Sequence, residues 1–299
     1  MKRDRRRTSG RELLGLVPVL LVVGGLSIAA LVDALASSIS AEGSDAVGLA
    51  VFRTVLGLPG FWASFWFSLY VALSGTLLAT AGAVVLGHRW CTRPRGRRTA
   101  QTLLHFNLGV PHLVWAVALV ALLSPSGWLS RVTSLLGLDS GIDGFPVLVN
   151  DPYGIGIVLH LASKELPFVL LATLPLTGVA TRRSLAQGAT LGAGTASQIR
   201  HIYLPAIAPV LIPATIASFA FGLGGYEPGA ALGVQRPRTL AVVALEWFRS
   251  PDLTMRHRAF AVAVVLMATV ALASVVLLAM TRSWWTMRAT PHRREGVRA

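Results

Sequence analysis

Six separate stretches of mostly apolar residues, each long enough to cross a bilayer, govern what this chain can fold into. They run from Leu13 to Ala36, Phe61 to Gly87, Leu103 to Leu123, Gly154 to Val179, Ile207 to Tyr226 and Phe260 to Met280. A helix needs about 20 such residues to span the hydrocarbon. Lipid offers no hydrogen-bond partner to a bare backbone, so a spanning segment is helical or belongs to a closed barrel. These runs lack the alternation of a barrel strand, which predicts an all-α, polytopic membrane helix bundle with six transmembrane helices.

The charge distribution agrees. Only 13% of the residues are charged, against about 25% in ordinary soluble domains, and the mean hydropathy is +0.63. The net charge of +14 is not spread along one face. Arginines cluster beside the apolar runs, as expected where spans meet the cytoplasm, so they argue for a membrane flank and against nucleic acid. With the N-terminus placed inside, the inside segments hold 19 Lys and Arg and the outside segments seven. Both termini are therefore expected in the cytoplasm of a multi-pass inner (plasma) membrane protein. Trp62, Trp66, Trp128 and Trp247 then fall near the outer interface, Trp90, Trp284 and Trp285 near the inner one, and Trp115 deep in a span. Basic residues Lys2 to Arg7 and the Ala34-Leu35-Ala36 triplet resemble a signal peptide, but the apolar stretch is too long for one. An uncleaved first span is expected. Cys91 is the single cysteine and excludes an intrachain disulfide.

One loop on the predicted inner side has too much pattern for a connector. Leu185 to Leu191 is predicted helical, Gly192 permits a turn, and Thr195 to Tyr203 is predicted to form a second short helix. Pro205 suits the start of the next span. Gly192, nine further residues and then Ile202-Tyr203-Leu204-Pro205 resemble the EAA loop of permease subunits of binding-protein-dependent ABC importers. The loop's triplet is represented by Ala186-Gln187-Gly188, so the acidic first residue of the motif is missing and small Gly188 is kept for close packing. The six spans and the Leu166-Pro167-Phe168 stretch extend the likeness, which is nearest the polyamine, thiamine, iron and sulfate branch.

The resemblance implies a type I importer fold in which residues 182–205 form a cytoplasmic coupling helix docked on an ATPase. Ala186, Gly188, Gly192, Ala193, Ile199, Ile202, Leu204 and Pro205 are the implied coupling residues. It further implies two copies of an ABC ATPase subunit, a second permease that is a different chain, and a solute-binding protein. Lipid is the remaining partner.

No catalytic, cofactor or metal site is expected in the chain itself. The only lysines are Lys2 and Lys164, and neither sits in the G-x-x-x-x-G-K-[ST] setting of a P-loop, so ATP is expected on a partner subunit. No His-Glu-x-x-His motif occurs. His105 and His112, seven residues apart on one helix, would lie about 10.5 Å apart, too far to share an ion. An integral membrane enzyme stays open as an alternative, although Ala72-Leu73-Ser74-Gly75 is the nearest approach to a rhomboid-like serine site. So does an ion-coupled carrier or channel.

Charged residues inside a span are costly and mark either a path or a pairing. Lys164, Glu165 and the helix-disturbing Pro167 are therefore candidates for the translocation path, with pairing to another helix the alternative. Gly222, Gly224, Gly225, Glu227, Pro228, Gly229 and Gly233 suggest a gate or re-entrant segment, or else a flexible outer loop, and Glu227 joins the path candidates. The expected organisation is a basic tail at 1–12, one transmembrane domain at 13–281, and a second basic tail at 282–299. Loops at about 37–60, 124–153 and 227–259 are expected to offer a docking surface.

Overall fold

The computed structural model describes residues 17–18, 20–39, 50–93, 96–138 and 144–286. The tail expected at 1–12, the tail at 282–299 beyond the last helix, parts of the loops at 37–60 and 124–153, and the side chains of Trp284 and Trp285 fall outside the described residues. The described chain is helical, and six stretches in it are long and apolar enough to cross a membrane: Leu21–Ile39, Phe61–Thr92, His112–Leu135, Ile155–Leu176, Thr195–Gly224 and Leu253–Thr281.

Two units divide the chain, one of residues up to Leu58 with Ala244–Val265, the other of Pro59–Val243 with residues from Leu266 on. The first unit contains a π-turn at Leu20–Gly24, helix α1 (Gly25–Ile39) and helix α2 (Ala50–Leu56). Its later stretch is tied to α1 where His257 Nδ1 donates to the Ser37 carbonyl at 2.8 Å. Here too Asp252 caps the following helix, accepting from the Thr254 hydroxyl at 2.8 Å and the Thr254 N–H at 2.9 Å. Those bonds hold its carboxyl below the usual carboxylate range.

The second unit carries α3 (Phe61–Thr92), α4 (Arg97–Gly109), α5 (His112–Leu123), α6 (Trp128–Leu135), α7 (Ile155–Thr173), α8 (Val179–Thr190), α9 (Thr195–Gln198), α10 (Leu204–Gly224) and α11 (Glu227–Leu232). Helices α12 (Leu240–Phe248) and α13 (Leu253–Thr286) belong partly to each unit. The central joint is α3 against α7, with α10 packed on both. Glycine makes it close. A Cβ at Gly75 would stand 2.5 Å from Leu161 Cβ, and one at Gly82 would stand 2.6 Å from Leu166 Cδ1. Small residues at such positions let helices approach where lipid gives no hydrophobic drive to associate.

Three sequence expectations need correction. The third span does not run unbroken from Leu103 to Leu123, because α4 ends at Gly109 and α5 begins at His112. Pro111 lacks an N–H and pushes Val110 into extended backbone, with φ −77° and ψ 128°. His105 and His112 therefore do not share a helix. The second correction is that Thr195–Gln198 is not a free-standing helix. It passes through a π-turn at Ile199–Tyr203 into α10, and the Leu204 N–H reaches back five residues to Ile199 O. The helix expected over Leu185 to Leu191 is the third: it starts earlier, as α8 at Val179–Thr190.

Gly75→Ala is expected to lower the unfolding midpoint of the detergent-solubilised protein, equivalent to about 1–3 kcal/mol of overpacking. Gly25→Ala, where nothing lies within 4 Å of the new Cβ, should not lower it. Equal midpoints for Gly75→Ala and the parent would contradict the close α3–α7 joint.

Candidate functional site

The loop singled out in the sequence is built as a capped helix followed by a second short helix that runs on into α10. Helix α8 ends in a left-handed Gly192, with φ +81°, a conformation glycine adopts without steric cost. Gly192 N–H donates to Ala189 O at 3.1 Å and Ala193 N–H donates to Gly188 O at 2.9 Å. That pair of bonds is a Schellman cap, which satisfies carbonyls the helix end would otherwise leave bare.

The loop's inner side is welded to the bundle. Leu185 and Tyr203 are buried in a cluster with Ala83, Trp90, Val169 and Leu170, and the half-buried Ile199, Ile202 and Leu204 pack against it. Gly188 is buried, and a Cβ there would stand 2.8 Å from Ile202 Cδ1. Gln198 forms a bridge between the loop and α3. Its amide donates to Ala193 O at 2.8 Å, and its Oε1 lies 3.2 Å from His88 Nε2. The outer side is bare by comparison: Leu191 is 86% exposed and Val179 66%, with Ala186, Gln187, Ala189 and Gly192 also exposed.

The eight expected coupling residues thus divide by direction. Ala186 and Gly192 face outward, Gly188 is buried, and Ala193, Ile199, Ile202, Leu204 and Pro205 are half-buried. His88, Gln198 and Tyr203 hold the loop in place and were not anticipated. Gln198 and Tyr203 stood within the patterned segment, but nothing in the spacing of Gln198 marked a partner 110 positions away.

A second polar region lies within the spans. Lys164 is 2% exposed, and its ammonium donates to Asn107 O at 2.6 Å and Val110 O at 2.7 Å. These carbonyls belong to the end of α4 and the break that follows it. The cation partners Val110 O and adds to the Val110 N–H bond on Asn107 O, where Pro111 has no N–H to complete the helix ladder. Glu165 and Pro167 are buried on the same helix, and Glu227 is half-buried at the start of α11. The His112 ring lies tilted at 42° against Phe221, with centroids 4.2 Å apart, and its centroid is 5.7 Å from that of His160. His112 Nδ1, both His160 nitrogens and Asn107 Oδ1 are buried without a protein partner among the described residues. Trp115 donates to Ser163 Oγ at 2.9 Å, a bond beyond mere packing. The glycine-rich segment is neither regular span nor loose loop: α11 packs on α5 and α7, and Asn150 N–H donates to Leu232 O at 2.9 Å.

Residues 92–283 match the family described as the binding-protein-dependent transport system inner membrane component. That stretch contains the capped loop, the broken third span and Lys164. The chain belongs to this family. It is accordingly an inner-membrane component of a binding-protein-dependent transport system, with six stretches among its described residues long and apolar enough to cross a membrane.

The inner membrane ABC transporter permease protein YnjC of Escherichia coli (strain K12) is 27% identical over 250 residues. That alignment takes in 77% of this chain but 43% of the relative, so the chain spans under half of that relative's length. Two solved structures share the fold, both of a bacterial alginate ABC transporter. One, in complex with an alginate pentasaccharide-bound periplasmic protein, superposes with a TM-score of 0.67 at 18% identity over 91% of this chain and 92% of the other. The second gives 0.68 at 19% identity over 94% and 98%.

Lys164→Met is expected to leave Val110 O without its partner, and Asn107 O with only its bond from the Val110 N–H, at about 1–3 kcal/mol for the unpaired group. The detergent unfolding midpoint should fall clearly below that of the parent. A midpoint at or above the parent's would remove the bridging role assigned to the ammonium.

Proposed function

We propose that this permease is driven by separate ABC ATPase subunits docking on residues 182–205, and that it translocates a small solute handed over by a solute-binding protein. In this reading the loop and both termini are cytoplasmic, in line with the 19-to-seven bias of basic residues. The observation that carries the reading is the two-sidedness of α8, with Leu185 1% exposed and Leu191 86% exposed. One side is locked into the spans through Tyr203, Gln198 and His88, and the other presents apolar surface to a partner. A rigid element of that kind transmits a push on its outer face to α3, α7 and α10. Rocking of packed helices is a recognised form of such transitions.

The nucleotide is bound elsewhere in this scheme. The chain has no P-loop sequence, and Lys164 is committed to the carbonyls of the third span. The ATPase is present in two copies, one for this permease and one for a second permease, a different chain, with the solute passing between the two. Among the path candidates, Lys164 and Pro167 shape the bundle from within. Glu227, half-buried where α10 gives way to α11, is the one best placed for a passing solute, with Glu165 deeper.

Leu191→Asp tests the docking role, since a side chain this exposed contributes little to folding. The variant should keep the parent's unfolding midpoint yet lose co-purification with the ATPase and ATP-dependent uptake. Retention of both activities at normal levels would refute the lever.

A further inference from the structure

A pocket of about 470 Å³ opens between the end of α3 and the wall formed by α8 and α9. Three guanidinium-bearing residues line it: Arg89 in the last turn of α3, Arg93 just after it, and Arg182 in the first turn of α8. Cys91 lies between the first two, Ala186 faces them from α8, and Gln198 closes the side bonded to His88. Among the described residues no Asp or Glu lines the pocket. The surrounding segments, residues 88–102 and 180–206, contain eight arginines and no acidic residue.

Three like charges around one concavity repel one another and call for an anion. A planar guanidinium holds a carboxylate through paired, charge-assisted bonds. Ala186 stands where the resembling loops carry an acidic side chain, so this chain offers a methyl group to the cluster that a carboxylate would neutralise. The pocket wall is α8 itself, the helix whose exposed side is the proposed docking surface. Ala186 and Ala189 are both exposed and both line the pocket, so a partner seated on them would dry it, which strengthens an ion pair formed inside.

We propose that the pocket takes a carboxylate side chain of the docked ATPase subunit, so that this joint is paired with the base on the permease and the acid on the ATPase. The inference rests on the docking role of residues 182–205.

The test uses the full permease assembled with its ATPase in nanodiscs. Arg89→Glu with Arg182→Glu should cut ATPase retention by about tenfold or more, equivalent to at least 1.4 kcal/mol. Replacing one Asp or Glu of the ATPase docking groove by Lys should restore it. Ala186→Glu fills the pocket with an internal carboxylate and should weaken retention more than the uncharged Ala186→Gln does. Cys91, the single cysteine and half-buried in the pocket wall, reports occupancy. Its alkylation by a sulfonated maleimide should slow in the parent complex and recover in the double variant.

Stronger retention in Ala186→Glu would overturn the assignment, because it would mean the permease itself lacks the acid. Parent-like retention in the arginine double variant, alongside loss in Leu191→Asp, would sink the pocket while leaving the docking loop standing. Retention in Leu191→Asp as well would remove both. Slowed Cys91 alkylation without ATPase, in phosphatidylglycerol but not phosphatidylcholine nanodiscs or with millimolar inorganic phosphate, would give the site to a headgroup or a free anion instead.

Discussion

Every backbone group that leaves a helix inside a bilayer must find a partner within the protein, because hydrocarbon offers none. This permease breaks its helices inside or beside the membrane at several places and answers each break locally. At Val110–Pro111 the answer is a lysine ammonium reaching across from α7. At Gly192 it is the reciprocal pair of bonds from Gly192 and Ala193. Past Gly224 it is α11, whose last carbonyl accepts from Asn150. A charge inside a span costs roughly 2.5–3.5 kcal/mol on insertion scales. Its bonds to Val110 O and to Asn107 O, the latter already accepting from the Val110 N–H, offset part of that, so Lys164 needs no solute to explain its position.

The same economy shapes the route from loop to spans. Leu185, Tyr203 and Ile202 pack in one cluster with the end of α3 and the end of α7, while Gln198 adds a polar bond to His88 on α3. Close-packed interiors deform little, so displacement of α8 cannot be absorbed within the loop. The π-turn at Ile199–Tyr203 carries the loop into α10 without a flexible joint. Such turns are frequent at functional sites because they widen a helix without ending it. In the proposed mechanism the loop and the fifth span consequently move as one piece.

Much of this was legible in the sequence. Long apolar runs locate the six spans, since hydropathy averaged over a span is insensitive to detail. Gly192 could be read as a turn because few other residues tolerate its backbone. The break in the third span was harder: Val110–Pro111 lies within an apolar run, and a window that scores hydropathy passes over it. Lys164 was visible as an anomaly, but its partners are main-chain atoms 54 and 57 positions away. No side-chain pattern can announce a carbonyl. His88 and Gln198 were hidden for a related reason, as each is an unremarkable polar residue until the fold brings them together.

The recognisable part of the loop proves to be mostly the part that faces inward. Gly188 admits Ile202, Leu204 packs on the buried cluster, and Gly192 closes the cap. These positions are restricted by the permease's own geometry, whatever docks outside. The outward positions, Ala186, Gln187, Ala189 and Leu191, have no such internal constraint and are free to follow the chemistry of a particular partner. A motif match at Gly192 and Ile202–Pro205 therefore speaks for a lever anchored in the spans, and the identity at position 186 speaks for what the lever meets. An alanine there, in a pocket also lined by three arginines, is in the proposed mechanism the kind of change that an altered partner surface permits and that the inner half of the motif would not record.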